Sequence, residues 1–252
     1  VMKEDFDTLT ESSVSFIVDD ENLQVEGYRM TYKSERFYKD ILTNEQFFIA
    51  VKDKKIIKHT YRDRPYFCFW TRESFATEYL EKFDVAYDKI ITMDIDRFAT
   101  YELDEMFDQE DEALVNVTDK AAGHEIKIVE AVNDIMTDLD NIRIREFVQD
   151  VAKSDTVYGL TQKGMKHFAV VYDENDNFEQ SHFMPVWSLS KRAERVAEED
   201  FESFELIDVE GEVFAEWLDE LRDDNRYVAI DVKPGVVGTI VSAQKLANEL
   251  TF

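Results

Sequence analysis

Phe98-Ala99-Thr100-Tyr101-Glu102-Leu103-Asp104-Glu105-Met106 and Phe214-Ala215-Glu216-Trp217-Leu218-Asp219-Glu220-Leu221 are two versions of one segment, provided that Glu102 is counted as an extra residue in the first. The correspondence then runs on without a gap. Asp108 meets Asp223, Val117 meets Val232, Gly123 meets Gly238 and Asn133 meets Asn248. Upstream, Trp70-Thr71 meets Trp187-Ser188, Ala76 meets Ala193, Glu81 meets Glu198 and Ile90 meets Ile207. Identities are sparse, but their order and spacing hold, and a chain that repeats itself at domain length is two folds in tandem.

The elements of each copy are readable from periodicity. Copy one predicts a helix from Ser34 to Ile41 with Ser34 as its N-cap, and a buried strand Phe47–Val51. A lysine-rich turn leads to a strand Tyr66–Trp70, and Thr71 caps a helix Arg72–Phe83. A strand at Lys89–Met93, a helix from Arg97 to Phe107, a strand Ala113–Val117 and a helix Glu125–Ile135 complete it. Copy two repeats the series. It has a helix Arg143–Ala152, strands Val157–Leu160 and His167–Tyr172, and a turn at Asp173–Asn177. A strand Phe183–Trp187 follows, with Pro185 indicating an edge or strand end. Ser188 or Ser190 caps a helix through Glu199, and then come strand Phe204–Val209, helix Glu212–Leu221, strand Tyr227–Val232 and helix Ser242–Leu250. The class is α+β: two tandem copies of a small domain, each a mostly antiparallel sheet packed by helices. The expected division is an N-terminal extension at 1–30, in which Ser13–Val18 has strand composition, a diverged copy at 31–137 and a second copy at 138–252, meeting near Thr137–Asp140.

The segment Phe183-Met184-Pro185-Val186-Trp187-Ser188, the helix with Ala193, Trp217-Leu218 and the closing valine-rich strand together resemble the bacterial family called domain of unknown function 2750 (DUF2750). Copy two covers that pattern nearly end to end. Copy one is a diverged version, with Cys68 where Pro185 sits and Tyr101 where Trp217 sits. The resemblance implies a fold and names no chemistry. The strand–Trp–Thr/Ser–helix junction is also similar to the N-terminal domain of the enhanced serine sensitivity protein family.

The chain has 252 residues, 56 Asp plus Glu against 29 Lys plus Arg, and a formal net charge of −27. With 44% hydrophobic residues it has material for a core and is not a disordered acidic tail. The charge is uneven. Val51–Arg64 holds six cations and two anions, whereas Glu194–Asp224 holds 14 carboxylates and two arginines. That field repels phosphate backbones, so nucleic acid is not the expected partner and a basic protein is. A single cysteine excludes an intramolecular disulfide and multi-cysteine metal sites. No apolar run reaches membrane-spanning length and no secretory leader is read at the start, so the expected location is cytoplasmic.

No phosphate loop, His-Glu-x-x-His or Cys-x-x-Cys is present, and no cofactor or metal is expected. Cys68, between Tyr66-Phe67 and Phe69-Trp70, reads as a buried thiol. Met93-Asp94-Ile95-Asp96 places two carboxylates after a strand, where a helix start favours them as caps. A two-residue loop at Glu174-Asn175 would set His167 directly across from His182. The abundant aromatics point to Trp70 with Arg72, and Trp187 with Lys191 and Arg192, as a cleft with cationic rims. The leading reading is a non-catalytic interaction or regulatory protein of the immunity or stress-response kind. The alternative is a small-molecule enzyme working through His167/His182 or Asp94/Asp96.

Overall fold

The computed structural model describes residues 33, 35–61, 63–165, 167–173 and 180–250. The Ser34 cap, the turn at Glu174-Asn175 and the strand at Ser13–Val18 lie outside the described residues. The chain divides into two compact units that meet between Thr137 and Asp138.

In the first unit, α1 (Arg36–Asn44) buries Phe37, Tyr38 and Ile41 on one stripe. It ends where Glu45 turns left-handed at φ 54° and its N–H returns to the Ile41 carbonyl. Strand β1 (Gln46–Lys52) pairs antiparallel with β2 (Lys55–Ile56) on one side and β5 (Lys89–Asp94) on the other. A second sheet has the order β3 (Lys58–Tyr61), β4 (Arg64–Phe69), β6 (Glu112–Val115), β7 (His124–Lys127). Its β4–β6 pair is parallel because α2 (Glu73–Lys82), β5 and a broken helix intervene as the crossover. That broken helix comprises α3 (Ile95–Arg97), a π-helical turn at Phe98–Glu102 and α4 (Leu103–Met106).

The second unit repeats this. Strands β8 (Thr156–Gln162) and β11 (Phe204–Glu210) pair antiparallel. Strands β9 (Val171–Tyr172), β10 (His182–Val186), β12 (Tyr227–Ile230) and β13 (Thr239–Ser242) form the other sheet, with β10–β12 parallel. Helices α6 (Ser190–Asp200), α7 (Gly211–Asp223) and α8 (Ala243–Glu249) bury their apolar residues against strands of both sheets. The fold is α+β and its ladders are mostly antiparallel. Among the described residues each copy holds two sheets rather than one, joined at equivalent bridges: Phe48 to Trp70, and Tyr158 to Trp187.

The ladders repeat pair for pair. Gln46 faces Asp94 as Thr156 faces Glu210, Cys68 faces Leu114 as Pro185 faces Ala229, and Glu112 faces Lys127 as Tyr227 faces Ser242. One correspondence shifts by a residue. Ile49 pairs with Ile91 and Gly159 with Ile207, so the counterpart of Ile207 is Ile91 and not Ile90. The extra Glu102 has a physical location: it closes the π-helical turn, where Leu103 N–H reaches the Phe98 carbonyl five residues back. A helix absorbs one inserted residue in this way without rotating everything beyond it.

Other expectations are corrected. The two helices expected at Glu125–Ile135 and Arg143–Ala152 are one continuous helix, α5 (Ile128–Ser154). Nothing between Met136 and Ile142 breaks it, and buried Ile135, Leu139 and Ile144 carry the apolar stripe through. Residues 124–127 are strand, not helix, and β13 is its equivalent. Gly123 precedes β7 at φ +75°, where a Cβ would lie 2.8 Å from the Val115 carbonyl oxygen. Pro185 is on an interior strand, but β9 pairs only His182 and Phe183, so the ladder on that side has ended before the proline.

Candidate functional site

The strand-to-helix junctions at Trp70 and Trp187 each carry a cluster of polar contacts. Trp70 and Trp187 are both fully buried. Each makes both backbone hydrogen bonds of its inter-sheet bridge, at 2.7 and 2.9 Å for Trp70 and 2.8 and 2.9 Å for Trp187. Each indole N–H donates to a main-chain carbonyl, Trp70 to Val117 at 2.7 Å and Trp187 to Val232 at 2.9 Å. The indoles thus anchor helix to sheet and present no surface to a ligand.

The next residue is not the helix cap. The N-cap positions are Arg72 and Leu189, neither with a capping side-chain bond. Thr71 and Ser188 turn inward instead. Asn116 and Asp231 sit at φ 53° and 45°, a left-handed conformation that Asn and Asp tolerate. Their side chains accept the N–H of Thr71 (2.8 Å) and Ser188 (2.9 Å). The Thr71 hydroxyl lies 2.8 Å from Asp40 Oδ2 and 3.2 Å from Asn116 Oδ1. The Ser188 hydroxyl lies 3.0 Å from Asp231 Oδ2 and 3.4 Å from Asp150 Oδ2. Asp40 and Asp150 hold the same place on α1 and α5, six residues before the start of each first strand. Sequence reading missed these four residues, although the repeat of Asn116-Val117 as Asp231-Val232 carried the signal.

The cations differ. In copy one Arg36 Nε is 3.3 Å from Asp40. In copy two Arg192 Nη1 donates to Asp231 Oδ2 at 2.6 Å. Burial pushes the Asp231 carboxyl above the usual carboxylate range, against the pull of Arg192 and of the Ser188 bonds. Of the other candidates, Arg72 is exposed with its guanidinium 5.4 Å from the Phe75 ring, and Lys191 is exposed. The Ser188 N–H and hydroxyl thus both end on carboxylates, and these bonds fix the backbone at the junction.

The alternative catalytic pairs are not assembled as expected. His182 faces Tyr172, with ring centroids 4.2 Å apart, and not His167. The Asp173 N–H bonds the Ser181 carbonyl, which continues the same register and keeps His167 away from His182. His167 is exposed, and His182 Nδ1 lies 2.8 Å from Ser181 Oγ. Asp94 caps α3, accepting the Arg97 N–H at 3.0 Å, and Asp96 is buried. Cys68 is buried, and burial pushes its thiol up to about 12, away from the reactive range. Among the described residues no group of three or more His, Cys, Asp or Glu is placed to hold a metal ion, and no helix is long and apolar enough to cross a membrane.

No curated protein matches the chain in sequence. Among solved structures it is similar to Anabaena Tic22 (protein transport), at 6% identity over 76% of this chain and 88% of that one, with a TM-score of 0.23, too low to bear on the argument. The family model described as Protein of unknown function (DUF2750) matches residues 34–135 and again residues 144–250. Those spans hold the two bridges, the two buried indoles and the two inward hydroxyls, and the chain belongs to that family, carrying its domain twice.

Proposed function

We propose that the chain is a non-catalytic, cytoplasmic interaction module of regulatory or immunity type that receives a basic protein on its acidic surface. One observation supports this above the rest. All 14 carboxylates between Glu194 and Asp224 are exposed, and the only cations of that stretch are Arg195 and Arg222. Both arginines are already engaged, with Glu199 and with Asp219 and Asp223. A surface of one sign steers an oppositely charged protein and repels phosphate backbones. The lysine-rich β2–β3 region is the local exception. There Lys58 lies over the Phe67 ring at 4.1 Å.

The test is co-purification of the full chain at low and high salt. A basic partner released as ionic strength rises, and lost with Glu212→Lys, Glu216→Lys and Glu220→Lys, supports the reading. Retention unchanged at high salt refutes it. Replacing Lys54, Lys55 and Lys58 by alanine is expected to leave that partner bound.

A further inference from the structure

The segment 168–172 alternates inside and outside in an unusual sense. Ala169 and Val171 are buried, while Phe168, Val170 and Tyr172 face solvent at 37%, 41% and 65% exposure. Such alternation normally sets polar residues outside. Phe168 meets Trp217 edge to face at 5.1 Å, and Val213, one turn before Trp217 on α7, is also exposed. Copy one has the same backbone here and a different surface. Ladder pairing matches Phe168, Val170 and Tyr172 to Ile56, Lys58 and Thr60, and the helix alignment matches Val213 and Trp217 to Arg97 and Tyr101. Copy one therefore carries two cations where copy two carries only apolar groups. The fold does not require an apolar face at this place.

What surrounds the face indicates what covers it. On α7 the residues three positions after Val213 and Trp217 are Glu216 and Glu220, with Glu212 beside them, and all three carboxylates are exposed. A second copy of this chain would bring the same sign of charge to the contact. We infer that Phe168, Val170, Tyr172, Val213 and Trp217 form the docking face for a basic polypeptide segment with apolar side chains between its cations. The aromatic pair supplies the anchor, and the α7 carboxylates form the rim that selects positive charge. This locates the partner site of the function proposed above and rests on that reading.

The test uses the full chain and three labelled synthetic peptides of equal length: alternating Lys/Leu, alternating Lys/Ser and alternating Glu/Leu. Fluorescence anisotropy should find Lys/Leu bound about tenfold more tightly than Lys/Ser, with Glu/Leu not bound. Trp217→Ser should lower Lys/Leu affinity about tenfold and leave Lys/Ser unchanged. Val170→Ser with Tyr172→Ser, which removes only exposed side chains, should do the same and keeps the test valid if Trp217→Ser unfolds. Glu212→Gln, Glu216→Gln and Glu220→Gln together should weaken both cationic peptides. Equal affinity for Lys/Leu and Lys/Ser, or wild-type Lys/Leu binding by the patch variants, overturns the docking face and leaves the electrostatic reading standing. No binding of either cationic peptide at low salt overturns both. A concentration-dependent dimer dissolved by Tyr172→Ser would make the face a self-interface and overturn the proposal.

Discussion

In copy one, half-buried His59 on β3 hydrogen-bonds through Nδ1 to the Tyr79 hydroxyl on α2, and the Tyr79 ring lies 5.9 Å from Trp70. At the matching places of copy two stand Val171 and Val196, both buried and packed in the cluster that contains Trp187. Phe47, Phe69 and Phe98 of copy one stack at 5.0 to 6.3 Å, where copy two has Val157, Val186 and Phe214. The bridges, buried indoles and inward hydroxyls are alike in both. Volume and polarity inside the cores are thus exchangeable as long as each exchange is made in pairs. The hydrogen bonds that fix the backbone are not exchanged at all.

The largest effect that can break this comparison is loss of an anchor. Trp70→Ala and Trp187→Ala should each cost about 3–5 kcal/mol in denaturant unfolding, because both remove a fully buried indole and strand a carbonyl. A much smaller cost at one position would show that the anchors are not equivalent. Next is Asn116→Asp, which installs copy two's carboxylate in copy one. The place of Arg192 is taken there by Phe75, so the new charge lies near Asp40 with no cation of its own. A loss of about 2–4 kcal/mol is expected. Adding Phe75→Arg should recover part of that loss; no recovery would separate the two junctions electrostatically.

Tyr79→Phe sharpens the core comparison. It leaves His59 Nδ1 half-buried without its partner and should cost about 1 kcal/mol. Deleting Glu102 should convert the π-helical turn to regular helix at a cost of about 1 kcal/mol or less, whereas deleting Glu216 should cost more because it rotates Trp217 and Leu218 off their face. The smallest effect is a slope. The Asp231 carboxyl is held above its ordinary value, so the folded state retains a proton that the unfolded chain releases. Its contribution to stability is full below the ordinary carboxylate value and is lost as pH rises through the raised one. Asp231→Asn removes that term, so thermal melts across this interval should show the variant gaining on the native chain as pH increases.

The duplication, the helix–sheet class, most of the elements and even the one-residue insertion at Glu102 were legible in the chain, because periodicity and spacing are local and were written twice; the short strands β3, β7 and β13 were not, being too brief to show a period. The caps were misread for the opposite reason. Thr71 and Ser188 have cap composition and stand just before a helix, yet their hydroxyls are claimed by Asp40, Asn116, Asp150 and Asp231, which lie far off along the chain. The His167–His182 pairing failed because strand register is set across the sheet, which composition does not measure. Whether Trp187 is a ligand platform or a buried pin, and whether Phe168, Val170 and Tyr172 point in or out, depends on which strand passes alongside. Local pattern specifies which residues can be buried together; packing between distant segments settles which of them are, and which are left facing water.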